Sequence, residues 1–97
     1  MNAMAALVNE RLAGTPTIGV IGLGYVGLPL AVAFAESGAT VLGVDLDARR
    51  VAGVTAGASF IEDVPTETLD RLVREGRLAA SDDVTTLKDA DAIVICV

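Results

Sequence analysis

Histidine is absent from this chain, and cysteine occurs once, at Cys96. A disulfide framework needs paired cysteines and an ordinary zinc site needs several nitrogen or sulfur ligands, so both are excluded. Such thiol-poor usage fits a reducing compartment, and the cytoplasm is the expected location. Basic residues are scarce as well: seven Lys and Arg stand against thirteen Asp and Glu, a formal charge of −6. Nucleic acid and anionic membrane surfaces both call for a basic face, so neither is expected as a partner. Tryptophan is missing and aromatic residues make up only 3% of the chain, so the core must be aliphatic.

Charge disappears altogether between Arg11 and Glu36. Residues 17–35 would be long enough to cross a bilayer as a helix. Four glycines and Pro29 fall before position 30, however, and no basic cluster marks an inner end, so a membrane span is not expected. The leading Met-Asn-Ala-Met-Ala-Ala-Leu-Val runs directly into Asn9-Glu10-Arg11 and lacks a basic start, which makes a poor signal peptide.

That uncharged stretch has a different order in it. An apolar run, residues 18–21, leads into Gly22-Leu23-Gly24-Tyr25-Val26-Gly27; a helical segment rich in small residues follows, then a second apolar run, residues 40–44, and Asp45, eighteen residues past the last glycine. Strand, glycine triplet, helix, strand and acid in this order form a dinucleotide clamp. Gly22 lets the chain leave the strand sharply, Gly24 keeps a β-carbon out of the way of a pyrophosphate, and Gly27 lets the helix lie close on the sheet. The unpaired N–H groups of the helix start then face the phosphates, and Asp45 accepts from the adenosine ribose. Pro29 has no N–H to donate and is tolerated only in a first helical turn, which puts the helix start near Tyr25 or Val26. A carboxylate at position 45 repels a 2′-phosphate and favours NAD over NADP, while Arg49 and Arg50 keep the second coenzyme in play.

Around this unit the chain reads as alternating elements. Residues 3–13 are expected to form a short helical extension ending at Gly14-Thr15-Pro16, with the nucleotide-binding domain over residues 17–97. Further helices are expected at 26–37, closed by Gly38, at 48–56 behind an Asp47 N-cap and before Gly57, and at 66–75 before Gly76. Val51 and Val54 would face the sheet from the second helix, and Leu69, Leu72 and Val73 from the third. Residues 58–65 read as a loop, 81–83 as a turn, 84–85 as a brief third strand, Thr86 with Asp89 as a capping box, and 92–97 as a strand buried on both faces. The fold class is α/β: a Rossmann-type parallel sheet with helices on both faces, cut to about its first mononucleotide-binding half. Such folds need about 150 residues, so these 97 are expected to be part of a longer protein, and the piece alone to expose an apolar edge and aggregate.

The motif Gly22-Leu-Gly-Tyr-Val-Gly-Leu-Pro-Leu-Ala31 resembles the nucleotide-sugar dehydrogenases, the UDP-glucose/GDP-mannose dehydrogenase family. The likeness runs on through Val44-Asp45-Leu-Asp-Ala-Arg-Arg50-Val51, Gly57-Ala-Ser-Phe-Ile-Glu62, Gly76-Arg-Leu78 and Ala90-Asp-Ala-Ile-Val-Ile-Cys-Val97. Ser59-Phe-Ile-Glu-Asp-Val64 is most similar to the branch acting on UDP-N-acetylated hexosamines such as UDP-N-acetylmannosamine or UDP-N-acetylglucosamine, with UDP-glucose as the alternative substrate. The resemblance implies an NAD-dependent oxidation of a sugar C6 alcohol to a carboxylate, through a cysteine beyond residue 97, in a homodimer when full length. For residues in hand it implies a cofactor role only: Gly22, Leu23, Gly24, Tyr25, Val26 and Gly27 at the pyrophosphate, Asp45 at the ribose, Arg50 at the adenine end, and Val97 opening a cofactor loop. No catalytic residue and no metal ligand is expected here. Two other readings share the glycine motif, a β-hydroxyacid or 6-phosphogluconate type dehydrogenase and a non-catalytic dinucleotide sensor. Cys96, set among Ile and Val, is expected to be a small buried hydrophobe and not a nucleophile. Glu62-Asp63 and Asp82-Asp83 are expected to be solvated turns.

Overall fold

The computed structural model describes residues 15–96. Its elements are β1 (Thr17–Ile21), α1 (Gly27–Glu36), β2 (Thr40–Val44), α2 (Ala48–Thr55), α3 (Thr66–Arg74), β3 (Leu78–Ser81), a 3-10 turn (Val84–Leu87) and β4 (Ala92–Ile95). The expected helical extension over residues 3–13 lies outside the described residues. Four parallel strands form one sheet in the order β3-β2-β1-β4. Ile18 pairs with Val41 on one side and Ala92 on the other, and Val41 pairs with Leu78. The expected Rossmann-type parallel sheet is therefore present.

Register explains the core. Ile18 and Val20 of β1, Val41 of β2 and Leu78 of β3 share one sheet face and are buried with Leu28, Ala31, Val32 and Ala35 of α1, Val54 of α2, and Leu69 and Leu72 of α3. All three α-helices cover this face. Alanines in α1 let it sit close to the strands, and at α1's first residue a β-carbon on Gly27 would strike the Gly22 carbonyl oxygen. Within the described residues the opposite face carries only the 3-10 turn, whose Leu87 packs on Gly19.

Two expected elements move. The third strand is Leu78–Ser81, not residues 84–85; Leu-Ala-Ala-Ser has little strand propensity of its own and is held by its ladder to Val41–Val44. Residues 84–85 instead open the 3-10 turn, and its cap is Asp83, whose Oδ1 accepts from Thr85 N–H at 2.9 Å, not the Thr86 with Asp89 box. Burial of the last strand also differs from expectation. β4 is an edge strand, and beyond the turn nothing among the described residues covers its second face, so Ile93 and Ile95 are 49% and 66% exposed.

Those two isoleucines give the 97-residue chain a tendency to associate through its edge. Sedimentation velocity of the isolated chain is expected to show concentration-dependent self-association that Ile95→Lys reduces. A monodisperse monomer across the concentration range would contradict it.

Candidate functional site

Strand order reverses between β1 and β4: the chain proceeds outward from β1 through β2 to β3, then crosses back to place β4 on the other side of β1. A parallel sheet of this kind opens a crevice at the carboxyl ends of the two strands flanking the reversal. Gly22 stands at that point with φ +95°, and a β-carbon there would strike the Cys96 carbonyl oxygen. The chain thus passes from β1 to α1 directly against the end of β4, where Cys96 N–H donates to the Ile21 carbonyl at 2.7 Å.

The loop sorts its residues by direction. Leu23 turns into the core and is fully buried, while Tyr25 and Val26 face outward. The first backbone bond of the helix runs from Leu28 N–H to the Gly24 carbonyl at 3.1 Å. Gly24, Tyr25, Val26 and Gly27 therefore present N–H groups with no acceptor among the described residues, at the positive end of a ten-residue helix. Pro29 occupies the third helical position, between the Leu28 to Gly24 and Leu30 to Val26 bonds, and its missing N–H costs only the helical donor to the carbonyl of the exposed Tyr25. Gly24 to Gly27 line a cleft of about 230 Å³ together with Arg50 and Cys96.

Asp45, next after β2, is the buried charged residue of this region and is bonded on three sides. Its Oδ2 accepts from Leu23 N–H at 2.8 Å and from Arg50 Nη1 at 3.3 Å, and its Oδ1 accepts from Asp47 N–H at 2.8 Å. Burial by itself would push this carboxyl up. The Leu23 and Asp47 N–H groups and the Arg50 guanidinium together outweigh that and hold it below the usual carboxylate range. The group is thus ionised, and a carboxylate with about four acceptor positions retains one on Oδ1 after these bonds. Arg50 reaches across from α2 so that its Nη1 would lie 3.4 Å from a β-carbon on Gly24. It walls both the glycine cleft and a second cleft of about 460 Å³ that contains Asp45.

Chemically, the unpaired N–H groups of the first cleft suit an anion, and the ionised acceptor in the second suits a hydroxyl donor. Leu23, expected at the pyrophosphate, has its N–H on Asp45 and so positions the loop. Val97 lies outside the described residues. Cys96 is half-buried instead of buried, since it follows the end of β4 and lines both clefts. Three further residues of the second cleft escape a reading by motif: Leu46, 91% exposed, Val84, 56% exposed, and Asp82. Leu46 is detectable as the residue after the strand-end acid; Asp82 and Val84 depend on the position of β3, which local propensity hides.

Comparison with known proteins agrees with this architecture. Residues 16–97 match the model of the UDP-glucose/GDP-mannose dehydrogenase family, NAD binding domain. The UDP-N-acetyl-D-mannosamine dehydrogenase of Pyrococcus horikoshii is 38% identical over 81 residues, covering 82% of this chain and 19% of the relative. Its counterpart in Escherichia coli strain K12 is 42% identical over 82 residues, covering 84% of this chain and 19% of the relative. A solved UDP-glucose dehydrogenase from the archaeon Pyrobaculum islandicum superposes with a TM-score of 0.79 at 34% identity, over 88% of this chain and 20% of that one. The chain thus spans about a fifth of the length of these proteins. The glycine turn, the strand-end acid and the parallel sheet are accounted for together: the chain belongs to the UDP-glucose/GDP-mannose dehydrogenase family and corresponds to its NAD-binding domain.

Proposed function

We propose that this chain is the coenzyme-binding N-terminal segment of a cytoplasmic, homodimeric nucleotide-sugar 6-dehydrogenase whose substrate is a UDP-N-acetylhexosamine. The relatives named for UDP-N-acetyl-D-mannosamine support that substrate, together with the Ser59 to Val64 loop. When bound, NAD⁺ supplies the hydride acceptor for oxidation of the sugar C6 alcohol to the uronate. The groups that handle the sugar belong to the remainder of the protein.

One observation carries the coenzyme reading: at the strand-order reversal, unpaired N–H groups and an ionised, buried carboxylate lie in two clefts that share Arg50 and Cys96 as walls. In this reading Gly24, Tyr25, Val26 and Gly27 donate to the pyrophosphate through their backbones, and Gly22 shapes the turn beneath it. Asp45 accepts from a ribose hydroxyl at its remaining Oδ1 position, and a second hydroxyl displaces the long Arg50 contact from Oδ2. Leu46 and Val84, exposed apolar residues of the same cleft, would be the side chains available to cover the adenine. Arg50 closes the adenosine side of the crevice.

Calorimetric titration of the full-length protein tests the role of Asp45. Asp45→Ala is expected to weaken NAD⁺ binding roughly 10- to 100-fold, the loss of charge-assisted bonds worth about 1.5–3 kcal/mol. Undiminished affinity would remove Asp45 from the site. The same carboxylate sets a pH dependence. Its value in the folded protein lies below an unfolded value of about 3.9, so the stability it contributes is fully present above that value and is lost as pH falls through the folded value. NAD⁺ affinity should accordingly show no loss from Asp45 protonation between about pH 7 and about pH 5. A decline over that interval that Asp45→Asn abolishes would contradict the assignment.

A further inference from the structure

Arg50 pairs with Asp45, and a second acid, Asp47, pairs with both Arg50 and its neighbour Arg49. Asp47 caps α2, its Oδ1 accepting from Arg49 N–H at 2.9 Å. The same oxygen lies 3.5 Å from Arg49 Nε, and Oδ2 lies 3.9 Å from Arg50 Nε. Arg50 Nη1 meanwhile pairs with Asp45. The four side chains Asp45, Asp47, Arg49 and Arg50 sum to zero formal charge. As contributions to folding, such exposed pairs count for little. Their effect is on the local potential.

A cavity of about 330 Å³ lined by Asp47, Arg49, Arg50 and Phe60 adjoins the Asp45 cleft, and Arg50 walls both. A 2′-phosphate on an adenosine held at Asp45 would enter this region. With Asp45 alone opposing them, Arg49 and Arg50 would leave a net positive charge there, together with guanidinium forks suited to a phosphate.

We infer that Asp47 is a coenzyme-selecting residue: by holding Arg49 and Arg50 beside the adenosine-ribose cleft, it denies a 2′-phosphate its cationic partners and so favours NAD over NADP. Asp45 opposes the phosphate directly, whereas Asp47 acts through the two arginines. The inference rests on the coenzyme reading of the crevice given above.

NAD⁺ and NADP⁺ titrated separately into the full-length protein and its Asp47→Ser variant, at low and high salt, provide the test. Serine retains a side-chain oxygen for the α2 cap, and Asp47→Asn repeats the charge removal with an isosteric group. The ratio Kd(NADP⁺)/Kd(NAD⁺) is expected to fall about tenfold in either variant, more at low salt than at high. Adding Arg49→Gln or Arg50→Gln to Asp47→Ser should reverse part of the fall, which a purely structural role of the cap would not predict. NAD⁺ binding with an unchanged ratio in both variants overturns this inference alone. Absence of NAD⁺ binding by the unaltered protein overturns it together with the coenzyme reading.

Discussion

The bond from Leu23 N–H to the Asp45 carboxylate, 2.8 Å and buried, fixes the relation between the two halves of the crevice. It joins the turn after β1 to the end of β2, twenty-two residues apart in sequence. Backbone bonds from Gly22 to Val44 and from Cys96 to Ile21 brace the same corner from either side. Leu23 can serve this way because its side chain is itself a core residue: it packs over Gly43, where a β-carbon would stand 2.8 Å from its Cδ2. A hydrophobic anchor and a charged acceptor thus hold one residue from opposite ends. Gly24, Tyr25, Val26 and Gly27 are left with N–H groups that have no acceptor among the described residues.

That arrangement separates positioning from contact within a six-residue motif. Leu23 carries the loop, Gly22 and Gly27 permit the close backbone approach, and Gly24 to Gly27 carry the unpaired donors. Asp45 has a double duty, since the bonds that keep it ionised also leave it an acceptor position. Helices cover only one sheet face among the described residues, so the crevice is built by strand ends and turns, and its outer apolar parts, Leu46 and Val84, remain exposed.

The sequence made the first two strands and their helix legible because strand, turn and helix each have a local cause: continuous apolar residues, three glycines at fixed spacing, and a proline tolerated only at a helix start. Asp45 was legible by its distance from the glycines, and Asp47 by its place before a helix. What was hidden depended on distant partners. β3 is strand only because β2 offers it a ladder, and misplacing it conceals Asp82 and Val84 at the cleft. Ile93 and Ile95 read as core because their composition does, yet exposure is set by what lies across the sheet. Nothing local reveals that Leu23 spends its donor on Asp45 instead of on a ligand.

The most direct test of the account is a crystal structure of the full-length protein with NAD⁺ bound. The pyrophosphate is expected within hydrogen-bonding distance of the Gly24 to Gly27 N–H groups, and the adenosine ribose on the Asp45 carboxylate with the Leu23 bond intact. Coenzyme density away from that crevice, or a ribose turned away from Asp45, would contradict it.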